Sequence, residues 1–348
     1  MNKKLVSFML TAVLSVGVLA GCSSGQDSET ADDTSTEKVT AEAVDTRTVY
    51  VTPDWVQSVI DGNQKESENY LIGEVSWGSY KESPDYTKGH IPGAIHIDTS
   101  SVEEEPVWNL SSPETIEKNM LANGITKDTS VILYGADPSA VGRVAYAYLW
   151  AGVENVKVLN GGTAAWEKAG YKTETDVVEP KAVEEFGTKV PAHPEYCLSI
   201  DETKEKLKDD NFKLVSIRSE DEFLGKTSGY GYINKAGEPE GAVWGYDVDK
   251  YVNEDGTVLT MDQMKELWSD LDFSADNELS FYCGTGWRAA VPWLICYENG
   301  MDNMTMFDGG WNEWQMDENN HVQIGNPKSD DCIHTTVKEL SNDKALKQ

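Results

Sequence analysis

The sequence predicts an α/β fold in two tandem copies, each a central, mainly parallel sheet flanked by helices. Short apolar runs of strand character alternate with segments of helical period, the order that buries parallel strands beneath helices on both faces. The stretch Tyr134 to Trp166 can also be laid over Tyr282 to Trp314 without a gap. Tyr134 meets Tyr282, Gly152 meets Gly300, Asn155 meets Asn303, Gly161-Gly162 meet Gly309-Gly310, and Trp166 meets Trp314. This is a repeat of domain size, too long for a solenoid unit. Between the copies, Glu174 to Glu195 carries Pro180, Pro191, Pro194 and several acids, and reads as a linker. A chain of 348 residues is long for one core, in keeping with two domains.

In chain order, residues 1–22 form a leader. Asn2-Lys3-Lys4 is a basic n-region, Leu5 to Val18 an apolar h-region, and Leu19-Ala20-Gly21-Cys22 closes it. The apolar run is too short for a membrane span. The closing tetrad resembles the lipobox of bacterial lipoproteins, which implies acylation of Cys22 and an extracytoplasmic protein anchored to the cell membrane. Residues 23–46, rich in Ser, Thr, Asp and Glu, read as a disordered tether. The first domain is expected over 47–175, the linker over 176–195, the second domain over 196–328 and a C-terminal tail over 329–348.

Within the first domain, Thr52 to Ile60 carries a cap residue, an early Pro and helical spacing. Tyr70 to Val75 reads as a strand, and Gly89 to Ile97 as a turn leading into another. Pro113 to Asn123 is a helix ended by Gly124, Ser130 to Tyr134 a buried strand, and Arg143 to Trp150 a helix closing at Gly152. Val156 to Leu159 is a further strand, and Gly161-Gly162 opens a helix through Trp166.

In the second copy the chemistry gathers in Leu279-Ser-Phe-Tyr-Cys-Gly-Thr-Gly-Trp-Arg-Ala-Ala290. An apolar run ends at Cys283, a glycine-bearing loop leads to Arg288, and Ala289 to Asn299 reads as a helix. Loop N–H groups, the positive end of that helix and the Arg288 guanidinium all favour a thiolate. The plainer reading is a core cysteine after a strand; two glycines and an arginine within five residues weigh against it. The matching position in the first copy is Gly135, so the first domain lacks the nucleophile.

Charge narrows the partners. With 60 acidic against 29 basic residues, the chain lacks the basic clusters that bind nucleic acid. A small anion has to be captured by a local positive site against the field of the whole protein. Of the five cysteines, Cys22 goes to lipid and Cys283 to the loop, while Cys296 falls among core residues of the predicted helix. Cys197 and Cys332 flank the second half and are expected to form a disulfide fastening its ends. The five histidines show no paired ligand spacing, so no metal or other cofactor is expected. Asp247 to Gly256 has acids in a loop, but its glycine follows the wrong ones for a calcium site, and a turn after a strand is the better account.

Taken together, Gly89-His-Ile-Pro-Gly-Ala94, Asp308-Gly-Gly-Trp311 with Asn160-Gly-Gly162, and Cys283-Gly-Thr-Gly-Trp-Arg288 resemble the motifs of tandem rhodaneses, the thiosulfate and mercaptopyruvate sulfurtransferases. The resemblance covers roughly residues 48 to 325. It implies an inactive first domain and a catalytic second one. Cys283 would take a sulfane sulfur from a donor as a persulfide and pass it to a thiol or cyanide, a ping-pong route. Arg288 would meet an anionic donor, with Gly284, Thr285, Gly286 and Trp287 lining the substrate site. Arg218 matches an arginine that the family directs at the site; a salt bridge to Glu222 or Asp221 is its alternative. The second domain departs from the family by carrying Glu240-Gly-Ala-Val-Trp244 in place of the His-Ile-Pro-Gly motif. A monomer is expected. Two other functions are weighed: a sulfur-binding or sensing lipoprotein without turnover, and a rhodanese-fold cysteine phosphatase. The phosphatase loop needs five residues between Cys and Arg; here there are four, and Ala289 stands at the phosphatase arginine position.

Overall fold

Runs such as Ser130-Val-Ile-Leu-Tyr134 bury every residue, as a parallel strand covered on both faces requires. The computed structural model describes residues 48–347; the expected leader, Cys22 and the tether lie outside them. The first domain runs β1 (Tyr50–Val51), α1 (Pro53–Ile60), β2 (Tyr70–Ser76), α2 (Pro84–Lys88), β3 (Ile95–Asp98), β4 (Glu103–Glu104), β5 (Asn109–Leu110), α3 (Pro113–Ala122), β6 (Ser130–Tyr134), α4 (Pro138–Ala151), β7 (Asn155–Leu159) and α5 (Gly162–Lys168). The second runs β8 (Cys197–Leu198), α6 (Ile200–Lys206), β9 (Phe212–Ser216), α7 (Glu220–Phe223), β10 (Glu238–Pro239), β11 (Val243–Trp244), α8 (Met261–Trp268), β12 (Glu278–Tyr282), α9 (Trp287–Glu298), β13 (Met304–Phe307), α10 (Gly310–Trp314), β14 (His321–Ile324) and β15 (Ile333–Thr336).

The two main sheets have five strands each, in the orders β1-β7-β6-β2-β3 and β11-β9-β12-β13-β8. Every pairing within them is parallel. The expected α/β architecture is therefore present in both copies. Most helix boundaries lie close to those read from the sequence. Thr52 caps α1 by accepting from the Trp55 N–H, and Gly152 closes α4 in a left-handed conformation. However, α4 starts five residues before Arg143, because Asp137 caps it by accepting from Ser139 N and Pro138 takes an early position that needs no N–H.

Two of the contacts that join the copies lie beside the cysteine loop. Helix α4 lies on α9 at close range: a Cβ added at Gly142 would stand 3.4 Å from the Ala290 Cβ, and Tyr146 meets Trp293 edge-on at 4.8 Å. The hairpin of β4 and β5 reaches across to α10. Leu110 N donates to Asp308 at 2.6 Å, and the Asn312 side chain donates to the Val107 carbonyl at 2.8 Å.

The structure corrects one expectation. Cys197 and Cys332 are free thiols rather than a bridge. Cys197 lies in the edge strand β8, where burial and the negative charge of Asp308 push its thiol up, out of the reactive range. Cys332 precedes β15, in the turn opposite Gly325. Within the C-terminal tail, β15 pairs with β14, and beyond it Lys344 N donates to the Asn234 carbonyl at 3.0 Å and Leu346 N to the Tyr230 carbonyl at 3.0 Å. The last residues thus brace the loop that carries Tyr230 and Tyr232.

Candidate active site

Cys283 directly follows the central strand β12 and is fully buried. The loop that it opens is held from below by the start of α10. Trp311 N donates to the Cys283 carbonyl at 2.9 Å, and Asn312 N donates to the Gly284 carbonyl at 3.0 Å. Since each peptide is planar and trans, the N–H groups of Gly284 and Thr285 face away from α10. Gly310 makes this approach possible. Its φ is +53°, and a Cβ there would lie 2.5 Å from the Cys283 carbonyl oxygen. The first copy repeats the device with Gly162 against Gly135, but a Cβ at Gly135 would stand 2.4 Å from the Val75 carbonyl oxygen. That copy has no room for any side chain at the position matching Cys283.

The two loop glycines admit neighbours from opposite domains. The Tyr230 ring lies so close to Gly284 that a Cβ would come within 2.2 Å of it. At Gly286, whose φ is +89°, a Cβ would meet the Arg143 Nη1 at 2.5 Å. Arg143 belongs to α4 of the first domain and is fully buried. It pairs with Asp308, with Glu103 at 3.4 Å, and donates to the Trp108 carbonyl at 3.1 Å. Glu103 in turn accepts from the Trp287 indole at 2.8 Å. Burial pushes the Glu103 carboxyl upward, and the Arg143 charge opposes this. An ion cluster supplied mainly by the first copy therefore fixes Trp287.

Arg288, in the first turn of α9, does not stand free in the site. Its guanidinium makes two 2.8 Å bonds to Glu222, with further contacts to Asp247 at 3.2 Å and the Tyr230 hydroxyl at 3.0 Å. Arg218 is fully buried beneath, bonded to Glu238 at 2.6 Å, to Glu222 at 3.4 Å and to the Gly237 carbonyl at 2.9 Å, with Trp311 against its flat face. It meets Arg288 through Glu222 rather than reaching the cavity wall. Burial alone would raise the Glu222 carboxyl; the hydrogen bonds from Arg288 and the charges of both arginines overcome that and bring it down to about 2.

A cavity of about 670 Å³ opens over this loop. Thr285, Trp287 and Arg288 line it with Tyr230, Tyr232 and Val248, while the first domain contributes Trp77, Glu103, Glu105, Trp108, Asp137 and Ser139. Of the loop, Thr285, Trp287 and Arg288 reach this interdomain cavity, while Cys283, Gly284 and Gly286 lie buried beneath them.

The family model for the Rhodanese-like domain matches residues 52–169 and 199–317. This chain belongs to the rhodanese family. Over 285 residues it is 39% identical to the thiosulfate sulfurtransferase YnjE of Escherichia coli, covering 79% of this rhodanese and 65% of that protein's length. The crystal structure of YnjE superposes with a TM-score of 0.76 over 80% of this chain and 68% of that one. An anaerobic ergothioneine biosynthesis enzyme from Chlorobium limicola, solved with trimethyl histidine, is 33% identical with a TM-score of 0.76, covering 80% of this chain and 70% of that one. A structure of EanB bearing a cysteine persulfide with ergothioneine matches at 33% identity and a TM-score of 0.76, over 80% and 71% of the two chains.

Reading the sequence missed Arg143, Glu103, Tyr230 and Tyr232 as parts of this rhodanese site. Arg143 left a signal: it is the one charged residue within the apolar helix Ala140 to Trp150, and Val291 occupies its place in the repeat.

Replacing Arg143 by Met leaves Glu103 and Asp308 buried without their cation. Denaturant unfolding should show a loss of about 3–5 kcal/mol; an unchanged midpoint would contradict the cluster. Glu222 gives a pH signature, because its folded pKa lies below its ordinary 4.5. Its ionised form adds about 3 kcal/mol of stability above that value, lost as pH falls toward about 2. The stability gap between wild type and Glu222→Gln should therefore be widest near neutrality and close through that acid window, and a gap independent of pH would refute the assignment.

Proposed function

We propose that this rhodanese is a sulfurtransferase that moves a sulfane sulfur from a donor such as thiosulfate or mercaptopyruvate to a thiol or cyanide through a persulfide on Cys283. The observation that carries this reading is a buried cysteine at the mouth of a four-residue loop under an interdomain cavity, with Gly135 in its place in the other copy. The name of the E. coli relative and the persulfide of EanB support it.

In the first half-reaction, the Cys283 thiolate attacks the outer sulfur of the donor. A new S–S bond forms, and the bond to the donor breaks with its electron pair leaving on sulfite or the equivalent fragment. Loop N–H groups stabilise the anionic sulfur in both forms. Arg288 presents its remaining edge to an anionic donor, at a strength reduced by Glu222 and Asp247. The phosphatase reading is disfavoured by the loop itself, which has four residues between Cys283 and Arg288 and Ala289 at the phosphatase arginine position. Burial also pushes the thiols of Cys197 and Cys296 up, so neither competes as a nucleophile. The protein works outside the cytoplasm, anchored through lipid on Cys22.

Cys283→Ser should abolish transfer while keeping the thermal transition of the wild type. After incubation with thiosulfate or mercaptopyruvate, the wild-type peptide bearing Cys283 should gain the mass of one sulfur atom; no gain with either donor, or with glutathione persulfide, would end the proposal. For the anchor, Cys22→Ala should move the protein from the membrane fraction to the medium or periplasm and remove incorporation of labelled palmitate, and unchanged labelling would exclude Cys22 as the lipid site.

A further inference from the structure

Away from the loop that meets the donor, the walls of the cavity carry groups suited to a different kind of ligand. Five aromatic rings line it, from Trp77, Trp108, Tyr230, Tyr232 and Trp287, together with the carboxylates of Glu103, Glu105 and Asp137. Arg288 is the one basic lining residue, and Glu222 and Asp247 already hold its guanidinium. Arg143 beneath the floor is likewise matched by Glu103 and Asp308. Glu105 and Asp137 are exposed at the wall, so the cavity is electronegative as well as aromatic. Trp77 and Tyr232, at 64% and 54% exposure, are the most exposed aromatic rings among the described residues, and both stand at this one cavity. Trp108 adopts a left-handed backbone with φ 65°, a conformation costly for a tryptophan, and its ring faces Tyr232 at 6.3 Å. Rings held open to solvent beside carboxylates form the surface that attracts an alkylammonium group.

We infer that this cavity binds an organic cation, and that the sulfur acceptor is a thiol bearing an ammonium group. The cation site stands on the cavity alone; the acceptor role rests on the sulfurtransferase reading. In the transfer step the acceptor thiolate attacks the outer sulfur of the Cys283 persulfide. The bond between that sulfur and Sγ breaks, its electron pair returns to Cys283 as thiolate, and the acceptor leaves as a persulfide anion. No external oxidant or reductant enters. The ammonium, held by the rings and by Glu105 and Asp137, keeps the acceptor sulfur over Thr285 and Trp287.

Two measurements test this. Choline should quench the tryptophan fluorescence of the Cys283→Ser protein saturably, and Trp77→Leu or Glu105→Gln, both at exposed positions that folding does not need, should weaken that binding about tenfold. Persulfidated wild-type protein should then be offered thiocholine, 2-mercaptoethanol and 3-mercaptopropionate, with rates expressed per thiolate. Thiocholine should exceed 3-mercaptopropionate about tenfold or more, and the Trp77→Leu and Glu105→Gln proteins should lose most of that preference. Absence of saturable choline binding overturns the cation site. Choline binding with equal use of the three thiols overturns the acceptor role. If no persulfide forms on Cys283, the sulfurtransferase reading fails by itself, and the choline titration still decides the cavity.

Discussion

The Arg143 guanidinium is the point on which the site depends. It comes from α4, a helix of the copy that carries Gly135 in place of the cysteine, and ends beneath Gly286 in the loop of the other copy. A fully buried cation is tolerated only with its charge matched and its N–H groups bonded, and Asp308, Glu103 and the Trp108 carbonyl do this. Each partner is tied to a further part of the site. Asp308 accepts from the Leu110 N–H, which docks the β4–β5 hairpin, and Glu103 accepts from the Trp287 indole. Moving the first domain would strip Asp308 of its cation and of the Leu110 N–H, and would part Glu103 from the Trp287 indole. The domains therefore behave as one unit around the loop, and the first copy contributes about half of the cavity lining.

The repeat shows how two equal folds come to differ. Both copies keep the parallel sheet and the glycine that lets a helix start close against the carbonyl of the loop's first residue. In the second copy that residue is Cys283, pinned through its carbonyl by Trp311 N. In the first it is Gly135, where the Val75 carbonyl occupies the space of a side chain. Conversely Arg143, with Val291 at the matching place, appears only in the first copy and acts in the second.

Much of the fold was legible because its signals are local. Apolar runs such as Ser130 to Tyr134, the glycine stops at 124 and 152, and the cap at Thr52 each act within a few residues and agree with the final elements. The cysteine loop was legible for the same reason. What escaped depends on distance along the chain. Nothing in the neighbourhood of Glu103 says that it will meet Trp287, or of Leu346 that its N–H will brace Tyr230. Arg288 was legible as a cation beside the loop, but its two carboxylate partners, Glu222 and Asp247, lie on other segments and change what it can offer a ligand. The expected Cys197–Cys332 bridge failed likewise: position along the chain placed the two cysteines at the ends of a domain, while the fold puts one half-buried in an edge strand and the other in a hairpin turn.

The most direct measurement is a crystal structure of the full described chain after exposure to a sulfane-sulfur donor. It should show one additional sulfur on Cys283 Sγ, facing the cavity between Tyr232 and Trp287, with the Arg143, Glu103 and Asp308 cluster intact below the loop. Sulfur on Cys197, Cys296 or Cys332 with Cys283 unmodified would contradict the account.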